Sequence, residues 1–520
     1  RYENMNNMRV STNGGLVTEN WFDLNASRYT PSSTLQRMEL LKTGYMGTLS
    51  LGWDNYLFLE LTGRQERSST LKDQSFFYPS TNLSFLFTQA FHMPSWWNYG
   101  KLRLSYGIVG NAPETYTANI VYEQGSDNGF TWNTIPSSWG NADIRPEKKY
   151  EYEIGLESKF LNNRLGIDVS YYNNRVKDQI LSTPQPSTSG VKNVLMNVGE
   201  VANRGWDISI SATPILTRDF RWDLTANYGV YKNKVVKLAD GVPYLEILNS
   251  GGSGIKIQAV EGQPMGDIYA QVPQVNENGE YLVSDKGLYL NQTELQKVGN
   301  INPAGVGGLF NSFSYKNVFL DFSIDFRIGG DVINEMNQYA TAVGLTPESL
   351  KYRDTEHGGL SYYYPGDNNS SGIPVQVDPS TGAGPNGEII YHDGIILPGV
   401  VASTGERNTR IIPAGYYYNT TYNWGTEAEQ LTYRHSVFDN SYVKLRELTI
   451  GYQFPEKMIS KLGLGRLSVS VFGRNLFYLY KALKNYDAES SVGTSWANQA
   501  TVGSSTTATR SFGVSLRASF

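Results

Sequence analysis

Apolar residues recur at every second position through long stretches of this chain. Leu102, Leu104, Tyr106 and Ile108 interleave with Arg103, Ser105 and Gly107. The same alternation runs through 152–160, 165–171, 206–213, 222–230 and 318–328. A period of two gives a strand one apolar and one polar face. A soluble sandwich would show this too, but these segments run to ~10–13 residues, against the ~5–6 usual in globular proteins. Their polar faces also carry charges in mid-strand, at Asp168, Asp223, Asp321 and Asp325. That pattern suits a strand between lipid and a water-filled lumen.

The pattern predicts strands near 43–52, 56–66, 79–88, 101–110, 148–160, 164–175, 200–213, 220–232, 305–316, 318–329, 441–454, 465–475 and 508–520. The connections alternate in length. Short ones fall at 53–55, through Trp96 and Trp97, at 161–163, 214–219, Asn317 and 455–464. Long ones fall at 111–147, 233–304, 330–440 and 476–507. Short turns on one rim and long loops on the other are the pattern of an outer-membrane barrel. They orient it, with short turns in the periplasm and long loops outside. Trp96, Trp97 and Tyr99 then belong to the aromatic girdle at the short-turn rim. The last strand ends on Phe520, which resembles the signal read by barrel-assembly machinery.

The expected fold class is all-β, a transmembrane antiparallel β-barrel. About thirteen strands is an odd number, and a bacterial single-chain barrel has an even one. With the C-terminus on the periplasmic side, an odd count puts Arg1 outside. Either a strand is missing from the list, or this is the C-terminal part of a larger barrel. The division expected is 1–42 as the remnant of an extracellular loop and 43–520 as barrel. The opening Arg1-Tyr2-Glu3-Asn4 shows no signal peptide and reads as a mature or partial chain.

Composition removes several classes. Cysteine is absent and histidine numbers four among 520 residues, so disulfides, thiolate metal sites and a cysteine nucleophile are excluded. A net charge of −5 argues against a nucleic-acid partner. Glycine at 52 and tyrosine at 36 favour turn-rich β structure. No apolar run is long enough for a transmembrane helix, which leaves a barrel open. Nucleophile-elbow, Walker and dinucleotide motifs are absent, so no catalytic residue and no cofactor is expected.

Particular residues add a resemblance. Lys101-Leu-Arg-Leu-Ser-Tyr-Gly107, Ile144-Arg-Pro-Glu-Lys148, Tyr152-Glu-Ile-Gly-Leu156, Phe160-Leu-Asn-Asn-Arg164, Asn197-Val-Gly-Glu-Val201, Asn203-Arg-Gly-Trp206, Ser441-Tyr-Val-Lys-Leu-Arg446 and Gly473-Arg-Asn-Leu476 follow one another in order. In that order they resemble the SusC/RagA family of TonB-dependent outer-membrane transporters over nearly the whole chain. The resemblance implies a 22-stranded barrel with a plugged lumen, of which this chain holds about the last thirteen strands. It implies a SusD-like surface lipoprotein as lid, energy from the TonB complex, and import of oligosaccharides or peptides across a Bacteroidota-like outer membrane. The plug and early strands are not in this chain, so the N-terminal portion of the same transporter is an expected partner, as is the lipid bilayer. The chain then reads as the C-terminal portion of a nicked or split transporter.

Aromatic clusters in the long loops are the candidates for substrate or lid contact: Trp132, Trp139, Tyr362, Tyr363, Tyr364, Tyr416, Tyr417, Tyr418 and Trp424. Aromatic faces stack on sugars and pack against partners, and equally pack loops together. Asp168, Asp223, Asp321, Asp325 and Arg327 are expected to face the lumen, lining a solute path or anchoring the plug. Asp367, Asn369, Ser371 and Asp378 have the spacing of a calcium loop, with Asp in place of the usual final Glu. A polar loop with an Asx turn explains them equally. The rivals to an importer are a passive porin of about fourteen strands, a secreted all-β glycan-active enzyme, and an adhesin or receptor without transport.

Overall fold

The computed structural model describes residues 1–519 apart from 73–74, 128–129, 186–187, 189, 251–253, 367–371, 424–431, 461–462, 492, 494 and 504–507. Fourteen long strands succeed one another in chain order in the main sheet. They are β1 (Tyr2–Leu16), β2 (Ser27–Trp53), β3 (Leu57–Ser68), β4 (Ser75–Phe85), β5 (Trp97–Asn111), β6 (Glu147–Phe160) and β7 (Leu165–Lys177). Then follow β8 (Glu200–Leu216), β9 (Phe220–Lys237), β10 (Gly305–Tyr315), β11 (Val318–Ile328), β12 (Tyr442–Gln453), β13 (Arg466–Lys481) and β14 (Ser511–Ser519). The thirteen segments expected from the alternation all appear. β1 is the addition.

The chain divides into two compact units, one holding 1–162, 168–206 and 233–243, the other 163–167, 207–232 and 244–520. In the first, β1 to β6 form consecutive antiparallel ladders. The sharp turn from β2 to β3 rests on Asp54 and Asn55, both with positive φ (47° and 59°). Short polar side chains tolerate that conformation best after glycine. At the same rim the rings of Trp96, Trp97 and Phe160 lie within 6.0 Å of one another.

Residues 1–42, expected as a loop, are mostly strand. β1 pairs with the first part of β2, from Tyr2 opposite Leu41 to Leu16 opposite Ser27. Arg1 is therefore level with Lys42, whose carbonyl accepts from the Arg1 amine at 2.8 Å. Lys42 in turn lies opposite Ser68, the last residue of β3, so Arg1 stands at the long-loop end of that strand. The pattern failed here because Asn4, Asn6, Asn7, Ser11, Thr12 and Asn13 leave no apolar face, so the ladder is set by pairing with β2.

In the second unit β9 to β14 form the corresponding antiparallel series. Its long loops are folded. A four-stranded sheet (Tyr244–Ser250, Ile255–Val260, Asp267–Ala270, Gln296–Asn300) occupies the loop before β10. α1 (Glu335–Ala342) and α2 (Ala414–Tyr422) lie in the loop before β12. Ile255, Ile257, Ile268 and Ile301 from the first loop pack with Ile333, Tyr433 and Val437 from the second and Ala497 and Ala500 from the third. Three segments far apart in sequence thus share one apolar core, and burying it offsets the entropy of ordering long loops.

Candidate functional site, a polar wall and a folded loop body

The strands have two distinct faces. On β14, Phe512, Val514 and Leu516 are 73%, 73% and 69% exposed. Tyr152, Ile154 and Leu156 on β6, and Val318 and Ile328 on β11, are also exposed. Exposed apolar strand faces of this kind mark surfaces that meet a membrane or a partner.

The other face is polar and internally paired. Arg103 donates to both oxygens of Asp168 (2.6 and 3.2 Å) and approaches Glu157 at 3.5 Å. Asp223 accepts from Arg221 (2.5 and 2.9 Å) and from Thr213 Oγ1 (2.7 Å). Asp321 accepts from Ser312 Oγ (2.6 Å), and Asp325 from Arg446 Nε (2.5 Å). Arg327 donates instead to the backbone carbonyls of Gly329 and Ile301. The expected polar-face residues are therefore held by neighbouring wall residues and by the ends of loops.

One cluster joins wall to loop. Glu489, in the loop before β14, accepts from Lys444 Nζ (2.5 Å) and from Arg446 Nη1 and Nη2 (2.9 and 2.5 Å). Arg446 also reaches Asn475 Oδ1 at 2.8 Å. Burial raises the Glu489 pKa, and the two cations outweigh that and hold it at about 2. Nearby, Tyr478 donates to Asp487, and Lys481 Nζ to the Tyr486 carbonyl at 2.6 Å. The polar face of β12 and β13 thus straps the last loop down. Sequence reasoning missed Glu489 and Lys444 as a pair, because no spacing rule links residues 45 apart in sequence.

The aromatic candidates separate by burial. Tyr362 and Tyr364 are 1% and 4% exposed, packed with Ile411 and Tyr391. Burial raises the Tyr362 hydroxyl pKa, and the hydroxyl donates to Asp393 at 3.1 Å. Tyr418 is buried, donates to the Glu348 carbonyl at 2.8 Å and carries the Arg353 guanidinium over its ring; burial pushes its pKa up to about 12. Tyr417 lies edge-on to Tyr418 and Tyr422. These rings hold loops together. Trp132 and Tyr416 are exposed; Tyr363 and Trp139 are partly so, Trp139 edge-on to Tyr122. Trp424 and Phe520 lie outside the described residues, as do Asp367, Asn369 and Ser371. Asp378 accepts from the Ser380 amide and hydroxyl (2.9 and 2.6 Å), an Asx turn. Among the described residues no group of three or more His, Asp or Glu is placed to hold a metal ion.

Glu388 also emerges only from the structure. It accepts from the amides of Gly366 (3.0 Å) and Asn386 (2.8 Å), which lower its pKa to about 2. His435 lies flat against Tyr422, ring centres 4.4 Å apart, and burial lowers it to about 4.

Long strands with an exposed apolar face, a paired polar face and folded loops at one set of ends define the wall of an outer-membrane-type β-barrel. The chain belongs to the TonB dependent receptor-like β-barrel family, whose model matches residues 2–276. It is similar to TonB-dependent receptor P3 of Formosa agariphila, 25% identical over 86% of this chain and 42% of that protein. It is similar to TonB-dependent receptor SusC of Bacteroides thetaiotaomicron, 30% identical over 44% of this chain and 24% of that one. The fold is similar to a chain of the RagAB peptide transporter, with a TM-score of 0.65 and 18% identity over 94% of this chain and 50% of that chain. The SusC/RagA resemblance read from the sequence is thus supported, and these relatives are receptors and transporters rather than enzymes. The chain spans less than half the length of the curated relatives it matches.

Proposed function

We propose that this chain forms the C-terminal wall and loop body of a SusC-type, TonB-energised outer-membrane importer of oligosaccharides or peptides. The observation that carries this is the loop body of the second unit. Three loops share one core and are strapped to the polar wall, which suits a rigid rim on which a SusD-like lipoprotein lid could close. Solute would pass along the polar face while a plug, supplied by the remainder of the transporter, moves under TonB. RagAB is described as a peptide transporter, which favours peptides; exposed Trp132 and Tyr416 would serve either ligand. Calcium at Asp378 with 367–371 stays a subsidiary proposal.

A self-contained fourteen-stranded porin is the weaker reading. Among the described residues the wall part of β2, 42–53, pairs only with β3, and β14 pairs only with β13. An open ladder edge in lipid leaves backbone groups unpaired, so on the proposed reading further strands would cover these edges.

The test is purification of the chain in detergent from outer membranes, followed by uptake assays with peptides and with oligosaccharides. A plug-bearing portion and a lipoprotein should co-purify, and uptake should need TonB. A chain that stays in solution without detergent would overturn the reading and favour a soluble enzyme with carboxylates ~5–9 Å apart.

A further inference from the structure

The ribbon formed by β1 and the first part of β2 has no core of its own. No residue of 2–16 or 27–41 is buried. Among the described residues its two strands pair with each other and with no third strand, so each keeps one open edge. A two-stranded ribbon of this kind is marginally stable in water, and an open edge invites a partner. The ladder starts at the long-loop end of β3 and continues ~15 residues, or about 50 Å, beyond it.

The tip is nevertheless built. Val17 donates to the Ala26 carbonyl at 2.7 Å, Ala26 to the Asp23 carbonyl at 3.0 Å, and the Asp23 carboxylate accepts from the Asn25 amide at 2.8 Å. Ala26 is buried in this turn, whereas Trp21, Phe22 and Leu24 are exposed, Phe22 at 87%. A turn fixed by its own hydrogen bonds that presents its largest apolar side chains outward is pre-organised for a contact.

Composition supplies the second observation. Residues 2–41 contain no lysine, and they carry Trp21, Phe22, two tyrosines, three methionines and three arginines. Aromatic residues, methionine and arginine are enriched where proteins meet, and lysine is depleted there. The methionines serve both faces of the ribbon, with Met5 opposite Met38 on one and Met8 opposite Leu35 on the other. Their flexible thioethers adapt to an irregular surface. Arg9, Arg28 and Arg37 stand against Glu3, Glu19, Asp23 and Glu39. The ribbon therefore lacks the cluster of ~4–8 cations that an anionic lipid surface selects. Its two strands offer about thirty residues, and a stable protein interface takes ~20–30 a side. At the root of the ribbon the Tyr116 hydroxyl accepts from the Glu39 amide at 3.0 Å. The loop that carries Tyr116 also exposes Tyr122, Phe130 and Trp132, which adds aromatic surface in the same unit.

We propose that the ribbon 2–41 is a docking arm for the surface lipoprotein lid. Trp21, Phe22 and Leu24 would enter an apolar recess of the lid, and Met5, Met8 and Met38 would pack along it. The assignment rests on the importer reading proposed above. A protein that lies outside the membrane beside the long loops is the partner that the reach of the ribbon and its lysine-free, nearly neutral surface fit.

The test uses the intact transporter–lipoprotein complex in outer membranes. The photoreactive residue p-benzoylphenylalanine replaces Phe22 or, as a control on the apolar face of β6, Ile154. The probe at position 22 should cross-link to the lipoprotein about tenfold more than the probe at position 154. Trp21→Ala combined with Phe22→Ala should lower the lipoprotein retained on the transporter about tenfold. The folded-barrel band in electrophoresis should stay unchanged, because the wall ladder begins at Lys42. Amides within 5–10 and 33–38 should exchange about tenfold faster in transporter made without the lipoprotein. Cross-links from position 22 to a second copy of this chain, or to the remainder of the same transporter, would overturn the lid as occupant. Retention unchanged in the double variant would do the same. If the lipoprotein co-purifies but its removal leaves ribbon exchange unaltered, the docking arm falls and the importer reading stands. If no lipoprotein accompanies the wild-type transporter, the lid falls and the docking arm with it.

Discussion

Replacing Glu489 by alanine removes the carboxylate that Lys444 and Arg446 share. Arg446 keeps Asp325 and Asn475, but Lys444 is 2% exposed and its ion pair among the described residues is with Glu489. Breaking a buried pair by deleting one partner costs about 3–5 kcal/mol. The partial exposure of Glu489 (28%) and the surviving partners of Arg446 place the cost at the lower end, about 3 kcal/mol. The pKa gives the same size. A carboxyl held at about 2 in the folded chain and near 4.3 when unfolded is worth roughly two pKa units, or about 3 kcal/mol. Because the folded pKa is depressed, this stabilisation is present above pH ~4.3 and lost as pH falls through about 2. The readout is amide hydrogen exchange at Ala482 and Val502, whose N–H groups bond to Ser441 and Ile333. Exchange there should quicken about a hundredfold in Glu489→Ala. Replacing Glu489 and Lys444 together by methionine should restore most of the protection, since no buried charge is then stranded. Unchanged exchange in the single variant would refute the idea that this cluster straps the loop down.

His435 sets a second pH window. Its folded pKa of about 4 lies below the unfolded ~6.5, so the unfolded loop binds more protons between them. Stability of the 432–440 segment should be full above pH ~6.5 and fall towards pH 4, and His435→Phe should flatten that slope in an exchange titration. Tyr362→Ala should cost about 3–5 kcal/mol of loop stability, read as protease sensitivity across 360–413, because it empties a site that is 1% exposed. Gly307→Val should impair folding of the wall, read as loss of the folded, faster-migrating band in electrophoresis of unheated samples, since its side chain would collide with the Asn227 carbonyl and the Phe326 ring.

The wall was legible in the sequence and the loop body was not, and the reason is physical. A strand between lipid and water must alternate, so Trp222 to Val230 and Phe512 to Ala518 announce themselves residue by residue. β1 obeys no such rule: Asn4 and Asn6 sit opposite Glu39 and Arg37, and only the ladder with β2 defines it. In the loops, Tyr362 and Tyr416 look alike in sequence, yet one is 1% exposed and the other 36%. That difference comes from packing against Ile411 and Tyr391, residues that no local pattern connects to Tyr362. Asp325, by contrast, was recognisable as a polar-face residue from period two alone, while its partner Arg446 lies 121 residues away.

β2 carries a mechanical consequence. Its first part, to Leu41, pairs with β1, and its second part, from Lys42, pairs with β3. The two ladders meet end to end without overlapping, so the covalent backbone at Leu41–Lys42 is a joint between a projecting ribbon and the wall. Among the described residues it is braced by Ser69, bonded to both backbone groups of Leu41, by Arg1, bonded to both backbone groups of Lys42, and by the Tyr116 hydroxyl, which accepts from the Glu39 amide. A sideways load on the ribbon tip acts on that joint through a lever of ~15 residues, or about 50 Å. Ser69, Tyr116 and Arg1, rather than the ladders on either side, would then set the stiffness with which the ribbon leans.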